Sequence, residues 1–162
     1  MTILKETNVK SKHFVYNHYW WFLILAIVFS VVFFSLKGFE LKSAMPILIA
    51  QLSVFYFLQK QQMEEMKLFR EIFTECNDRY YDLSNELELI LGKTSLEHDD
   101  EKILVSYFNL CGEEYIYYKR GYIYPSVWES WHNGMKYYMD DVVIKEFWVK
   151  ESESNSYYGL KM

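Results

Sequence analysis

WWFLILAIVFSVVFFSL, residues 20–36, is an uncharged run that reaches eighteen residues when Tyr19 is added. At a rise of 1.5 Å per residue, eighteen residues span about 27 Å, close to the roughly 30 Å of a bilayer's hydrocarbon core. The rings at its upstream end, Tyr16, Tyr19, Trp20 and Trp21, suit a membrane interface. These features predict a first transmembrane helix over 19–36. A buried core helix is the alternative, but a 162-residue soluble domain rarely needs a helix apolar on every side. A cleaved signal peptide fits less well, because the apolar run is long and continues through Val32, Phe33 and Phe34 with no small-residue cleavage pattern.

A second apolar run, AMPILIAQLSVFYFL at Ala44 to Leu58, follows the connection Lys37 to Lys42. Its fifteen residues reach only about 22 Å, so a crossing over 44–60 needs help from flanking residues or from snorkelling of Lys42 and Lys60. A re-entrant or interfacial helix is the alternative. Ser43 and Pro46 suit a helix start, where proline's missing N–H costs nothing. Within this run Gln51 and Ser53 are candidates for helix association or for lining a pore, since an amide in hydrocarbon seeks a partner. Equally, a single glutamine can be satisfied inside the hairpin.

Basic residues number three upstream (Lys5, Lys10, Lys12), two in the connection (Lys37, Lys42) and three downstream (Lys60, Lys67, Arg70). With two crossings, this shallow bias predicts both termini in the cytoplasm and a short loop outside. Charge divides the chain in the same way: residues 1–72 carry net +3 and residues 73–162 net −8, giving −5 overall. An acidic surface repels a polyanion, which disfavours direct nucleic-acid binding except locally, around Lys119 and Arg120. Cys76 and Cys111 sit among apolar residues and need not pair in a reducing compartment.

Downstream of the apolar runs, Met66, Phe69, Phe73, Cys76, Tyr80, Leu83, Leu87 and Ile90 alternate spacings of 3 and 4. That is a heptad seam, and it predicts a helical stalk over 61–92. No proline or glycine intervenes between Pro46 and Gly92. Membrane segment and stalk are therefore expected as one helix, about 72 Å long over 44–91. The seam packs either against the chain's own C-terminal helices, the favoured reading, or against the stalks of neighbouring copies in a homo-oligomer.

Beyond Gly92, Thr94 or Ser95 with Glu97 or His98 opens a helical domain over 93–150. One helix covers Asp99 to Lys119, with Ile103, Leu104, Tyr107, Phe108, Cys111, Tyr115 and Tyr118 on one face, and Gly121 ends it. Pro125 begins a second helix through Val127, Trp128 and Trp131 to Met139. Asp140 or Asp141 caps a third, and 151–162 reads as a polar, frayed tail. Aromatics make up 20% of the chain, more than a small helical core can hide, so some of them are expected to form a docking face. Candidates are Tyr115, Tyr118, Lys119, Arg120, Tyr122, Trp128 and Trp131.

No catalytic signature is present: there is no glycine-rich phosphate loop, G-x-S-x-G, H-E-x-x-H or CxxC. Glu129-Ser-Trp-His132 has the E-x-x-H spacing of di-iron bundles but lacks the second copy such sites need. Glu113 and Glu114 are adjacent, hence about 100° apart on a helix, and at least one reads as surface charge. The expectation is a non-enzymatic protein without metal or cofactor.

The stretches Tyr107-Phe-Asn-Leu-Cys-Gly-Glu-Glu-Tyr115, Lys119-Arg-Gly-Tyr-Ile123 and Trp128-x-x-Trp131-x-x-Gly134-Met135, together with the N-terminal hairpin, resemble the small two-transmembrane effectors of retron antiphage defence systems and related phage-abortive membrane proteins. The resemblance covers residues 105–135 and the hairpin. It implies an effector encoded beside a reverse transcriptase and its RNA–DNA product, restrained by them until infection, and then disrupting the inner membrane. The expected fold is thus an all-α membrane protein: a short cytosolic segment (1–18), a transmembrane hairpin (19–60), a helical stalk and a small aromatic-rich cytosolic domain. The alternative function is a passive membrane adaptor whose acidic helical domain recruits a cytosolic protein.

Overall fold

The computed structural model describes residues 20–36, 38, 41–153 and 156–162, with the side chains of Leu41, Ser43 and Ala44 outside that description. The N-terminal segment 1–18 and the interfacial Tyr16 and Tyr19 lie outside the described residues. Five helices account for most of the rest: α1 over 20–36, α2 Leu41–Ile90, α3 His98–Arg120, α4 Pro125–Met139 and α5 Val142–Ser152. The chain divides into two compact units, Met1–Lys67 and Leu68–Met162, with the boundary inside α2.

The transmembrane hairpin is corrected here. Among the described residues no helix is long and apolar enough to cross a membrane. Described α1 holds the seventeen residues 20–36, about 26 Å at helical rise against a core of roughly 30 Å. In α2 length is ample but apolarity is not: Lys42, Gln51 and Ser53 interrupt the run, and Gln59-Lys-Gln-Gln62 ends it. The two-crossing topology that placed both termini on one side loses its basis with the spans.

In the first unit, α1 and the start of α2 pack through a few contacts. The Trp20 and Phe55 rings meet edge to face at 4.6 Å, and the Gln51 side chain reaches Ser30. Most of the apolar surface faces outward; Phe29 is 72% exposed and Leu36 81%.

The second unit has a conventional core. Leu87 and Ile90 of α2, Leu104, Tyr107, Phe108 and Cys111 of α3, Met135 and Tyr138 of α4, and Ile144, Phe147 and Trp148 of α5 are all buried in it. A smaller cluster joins Ile72 and Cys76 to Leu110 and Ile123. Local signals set the helix ends. Gly121 adopts φ 81 and its N–H reaches the carbonyls of Tyr117 and Tyr118, the left-handed cap that a Cβ would strain. Pro125 occupies the first turn of α4, and Asp141 caps α5 by accepting from the N–H groups of Val143 and Ile144. The start of α3 differs from expectation: its cap is a box between Glu97 and Asp100 rather than Thr94 or Ser95. Lys93 then clamps Asp100, its Nζ 2.8 and 2.7 Å from the two carboxylate oxygens.

The C-terminal residues also differ from a frayed polar tail. Tyr157 and Leu160 are buried in the main core, with the Tyr157 ring 4.9 Å from that of Trp148. The Tyr157 backbone passes close to Gly112 in mid-α3, where a Cβ would meet it at an ordinary contact distance of 3.5 Å. The reversal uses Tyr158 at φ 56 and Gly159 at φ 78, and the Lys119 ammonium donates to the Tyr158 carbonyl at 3.3 Å.

Candidate functional site

Two features of the second unit carry chemistry: a half-exposed aromatic face and a group of ionisable side chains on α2 and α3, some of them buried. The face is built by α3 and α4. Trp128 lies parallel to Tyr118 at 5.1 Å and to His132 at 5.4 Å, with Tyr115 tilted against it at 5.4 Å. Trp131 stacks on Phe73 at 5.8 Å, and Tyr124 meets Phe69 edge to face at 4.6 Å, so the face extends onto α2.

Of the docking candidates, Tyr115, Tyr118, Trp128 and Trp131 are half-buried and pack on the two core clusters, so their flat sides are largely spent on one another. Lys119, Arg120 and Tyr122 form the exposed rim; Tyr122 is 44% exposed. Lys119 also places its ammonium 5.1 Å above the Tyr115 ring.

From Phe69 onward the heptad seam meets the chain's own helices, although Phe73 and Tyr80 stay 36% and 38% exposed. Cys76, Leu87 and Ile90 are buried, Phe69 and Leu83 pack against the core, Phe73 stacks on Trp131, and the Tyr80 hydroxyl lies 3.1 Å from that of Tyr138. Met66, on the first-unit side of the boundary, is exposed. Phe, Tyr and Cys at seam positions pack irregularly, which suits the uneven surface of three short helices better than a matching straight stalk.

Arg79 of α2 grips Glu113 of α3 through both guanidinium arms, Nη2 lying 3.3 Å from Oε1, and both side chains stay partly exposed. Glu114, the next residue, is buried at 6% exposure. Burial pushes its carboxyl up to about 8, with Glu113 adding to the rise and Arg79 opposing it. Cys76 is pushed up to about 12, chiefly by burial and then by Glu114; Cys111 and Tyr107 are raised by burial as well. Thiols held protonated in this way are poor nucleophiles.

Adjacency marks at least one of Glu113 and Glu114 as surface charge; Glu113 is the partly exposed one and Glu114 the buried one. The signal was there: 107, 111, 114 and 118 continue the spacing of the apolar face of α3, so one glutamate had to turn inward.

In the first unit the Gln51 amide donates to Ser30 Oγ at 2.8 Å and to the Ala26 carbonyl at 3.4 Å, and Ser30 donates to the same carbonyl at 2.8 Å. Gln51 Oε1 is buried without a partner. Ser53 bonds back to the Ile49 carbonyl at 2.8 Å and is exposed. Glu129 and His132 gain no companions: among the described residues no group of three or more His, Cys, Asp or Glu is placed to hold a metal ion.

No protein-family model matches the chain, and no curated protein or solved structure matches it either.

Proposed function

We propose that the chain is a non-enzymatic effector of a retron-type abortive-infection system, acting at the bacterial inner membrane and restrained by partners until infection. The observation that carries this reading is the contrast between the units. The second unit gathers a core of buried apolar side chains and leaves others such as Leu89 and Val142 at its surface, whereas the first exposes nearly continuous stretches, with Trp21, Leu25, Phe29 and Leu36 of α1 and Ile49, Val54 and Phe57 of α2 in the open. An apolar surface of that extent in water calls for a lipid or protein covering. Disruption of the bilayer is the activity that fits, with the acidic second unit offering the aromatic rim to a restraining protein. The resemblance of residues 105–135 to retron effectors supplies the restraining partner's class: a reverse transcriptase with its RNA–DNA product.

Inducing the chain alone in bacteria and following a potential-sensitive dye tests the proposal. The expected result is depolarisation and growth arrest, relieved when the neighbouring reverse transcriptase is co-expressed. Normal potential and growth at high expression would overturn it in favour of the adaptor reading, in which the exposed rim of Lys119, Arg120 and Tyr122 recruits a cytosolic protein without harm to the cell.

A further inference from the structure

Two side chains of the segment 156–162 enter the core of the second unit, Tyr157 at 5% and Leu160 at 6% exposure. The Tyr157 ring lies 4.9 Å from that of Trp148 on α5 and 6.1 Å from that of Phe108 on α3. Those two rings form a seat for a third, and Leu160 is buried in the same cluster. Ring and aliphatic side chain are brought together by a tight turn in which the Leu160 N–H donates to the Tyr157 carbonyl at 2.9 Å. Between them, the Tyr158 carbonyl accepts from the Lys119 ammonium of α3 at 3.3 Å.

The turn is the weak point of this arrangement. Its central residues, Tyr158 and Gly159, sit at φ 56 and φ 78, both left-handed. Glycine takes that conformation freely, but a tyrosine there is strained, and unseating the segment lets Tyr158 return to an ordinary φ. Upstream, Glu151-Ser-Glu-Ser-Asn-Ser156 contains no apolar side chain, so the apolar hold on the segment lies in Tyr157 and Leu160. A short segment with a polar approach, two buried anchors and a strained turn belongs to the low end of local stability.

We propose that the seat on α3 and α5 is a peptide-docking groove, which the chain's own Tyr157–Leu160 segment closes as a strap, and that it accepts a partner segment carrying an aromatic ring and an aliphatic side chain three residues apart. The occupant already seated defines that chemistry: a ring against Trp148 and Phe108, an aliphatic group in the same cluster, and a carbonyl between them for Lys119. The strap competes from a short tether, equivalent to a concentration on the order of millimolar, so a partner enters only as the strap leaves. The groove belongs to the second unit and does not depend on the membrane role.

The probe is a fluorescein-labelled synthetic peptide of residues 153–162, followed by fluorescence anisotropy. The full-length double variant Tyr157→Ala, Leu160→Ala has a strap without anchors. It is expected to bind the peptide saturably and at least about tenfold more tightly than the natural chain does. The same peptide carrying both alanines should not bind. Equal affinity for chain and variant, no binding to the variant, or equal binding of the two peptides would overturn the groove. Should the variant fail to fold, hydrogen exchange of the natural protein decides. The Leu160 amide is expected to exchange at least about tenfold faster than the Cys111 amide of mid-α3, and faster still with the peptide in excess. One common rate for both amides, or a Leu160 rate that the peptide leaves unmoved, would overturn the proposal.

Discussion

The Gly92 backbone N–H donates to Asp141 Oδ2 at 2.9 Å, while the other oxygen of the same carboxylate accepts from Val143 and Ile144 at 2.9 and 3.1 Å. One side chain therefore closes the turn after α2 and caps the start of α5, forty-nine residues apart in sequence. These hydrogen bonds, that from Gly92 first, hold the Asp141 carboxyl below its ordinary value. Asp141→Ala should cost about 1–2 kcal/mol, more than an isolated cap, since two chain ends lose their acceptor. Asp100, held low by Lys93 and then by the Glu97 N–H, behaves likewise. Both contribute stability that is present above the unfolded value of 3.8 and lost as pH falls through the lower folded value. Acid titration of helix content should show that loss, and Asp141→Ala should flatten part of it.

Trp128 and Arg120 separate packing from recognition. Trp128 touches both core clusters, so Trp128→Ala should lower stability by about 3 kcal/mol in urea unfolding. Arg120→Glu and Tyr122→Ala alter only exposed rim positions and should change stability by less than about 0.5 kcal/mol. If the rim docks the restraining partner, those two substitutions should weaken co-purification with it and leave circular dichroism unchanged.

Gln51→Leu removes an amide whose carbonyl oxygen is buried without a partner, and Ser30 keeps its own bond to Ala26. Helix content should be unchanged, because an apolar group of similar size replaces a half-satisfied one. Loss of depolarisation in induced cells is the expected phenotype for an amide that acts in the bilayer. Retained depolarisation would confine Gln51 to packing within the first unit.

Ending the chain after Glu153 removes Tyr157 and Leu160 from the core and uncovers Gly112 and part of Phe108. Thermal unfolding should move to clearly lower temperature, with roughly 2–5 kcal/mol lost for the two buried side chains. Tyr157→Phe, which keeps the ring, should cost far less.

The sequence by itself determined what depends on near neighbours along the chain. Gly92 and Gly121 stop helices because a left-handed turn favours a residue without Cβ, Pro125 starts one because its N–H is not needed there, and the 3–4 spacing from Phe69 to Ile90 marks the buried side of α2. Tertiary structure alone decided the rest. That Glu113 pairs with Arg79 depends on a helix thirty-four residues away, and that Tyr157 seals the core rather than frays depends on Phe108 and Trp148 being brought together to receive its ring. The apolar run at 20–36 shows the same limit: composition fixes its aversion to water, but what covers its exposed side chains is not written in the run itself. Burial is a property of surfaces brought together, and a local pattern records only which surfaces are available.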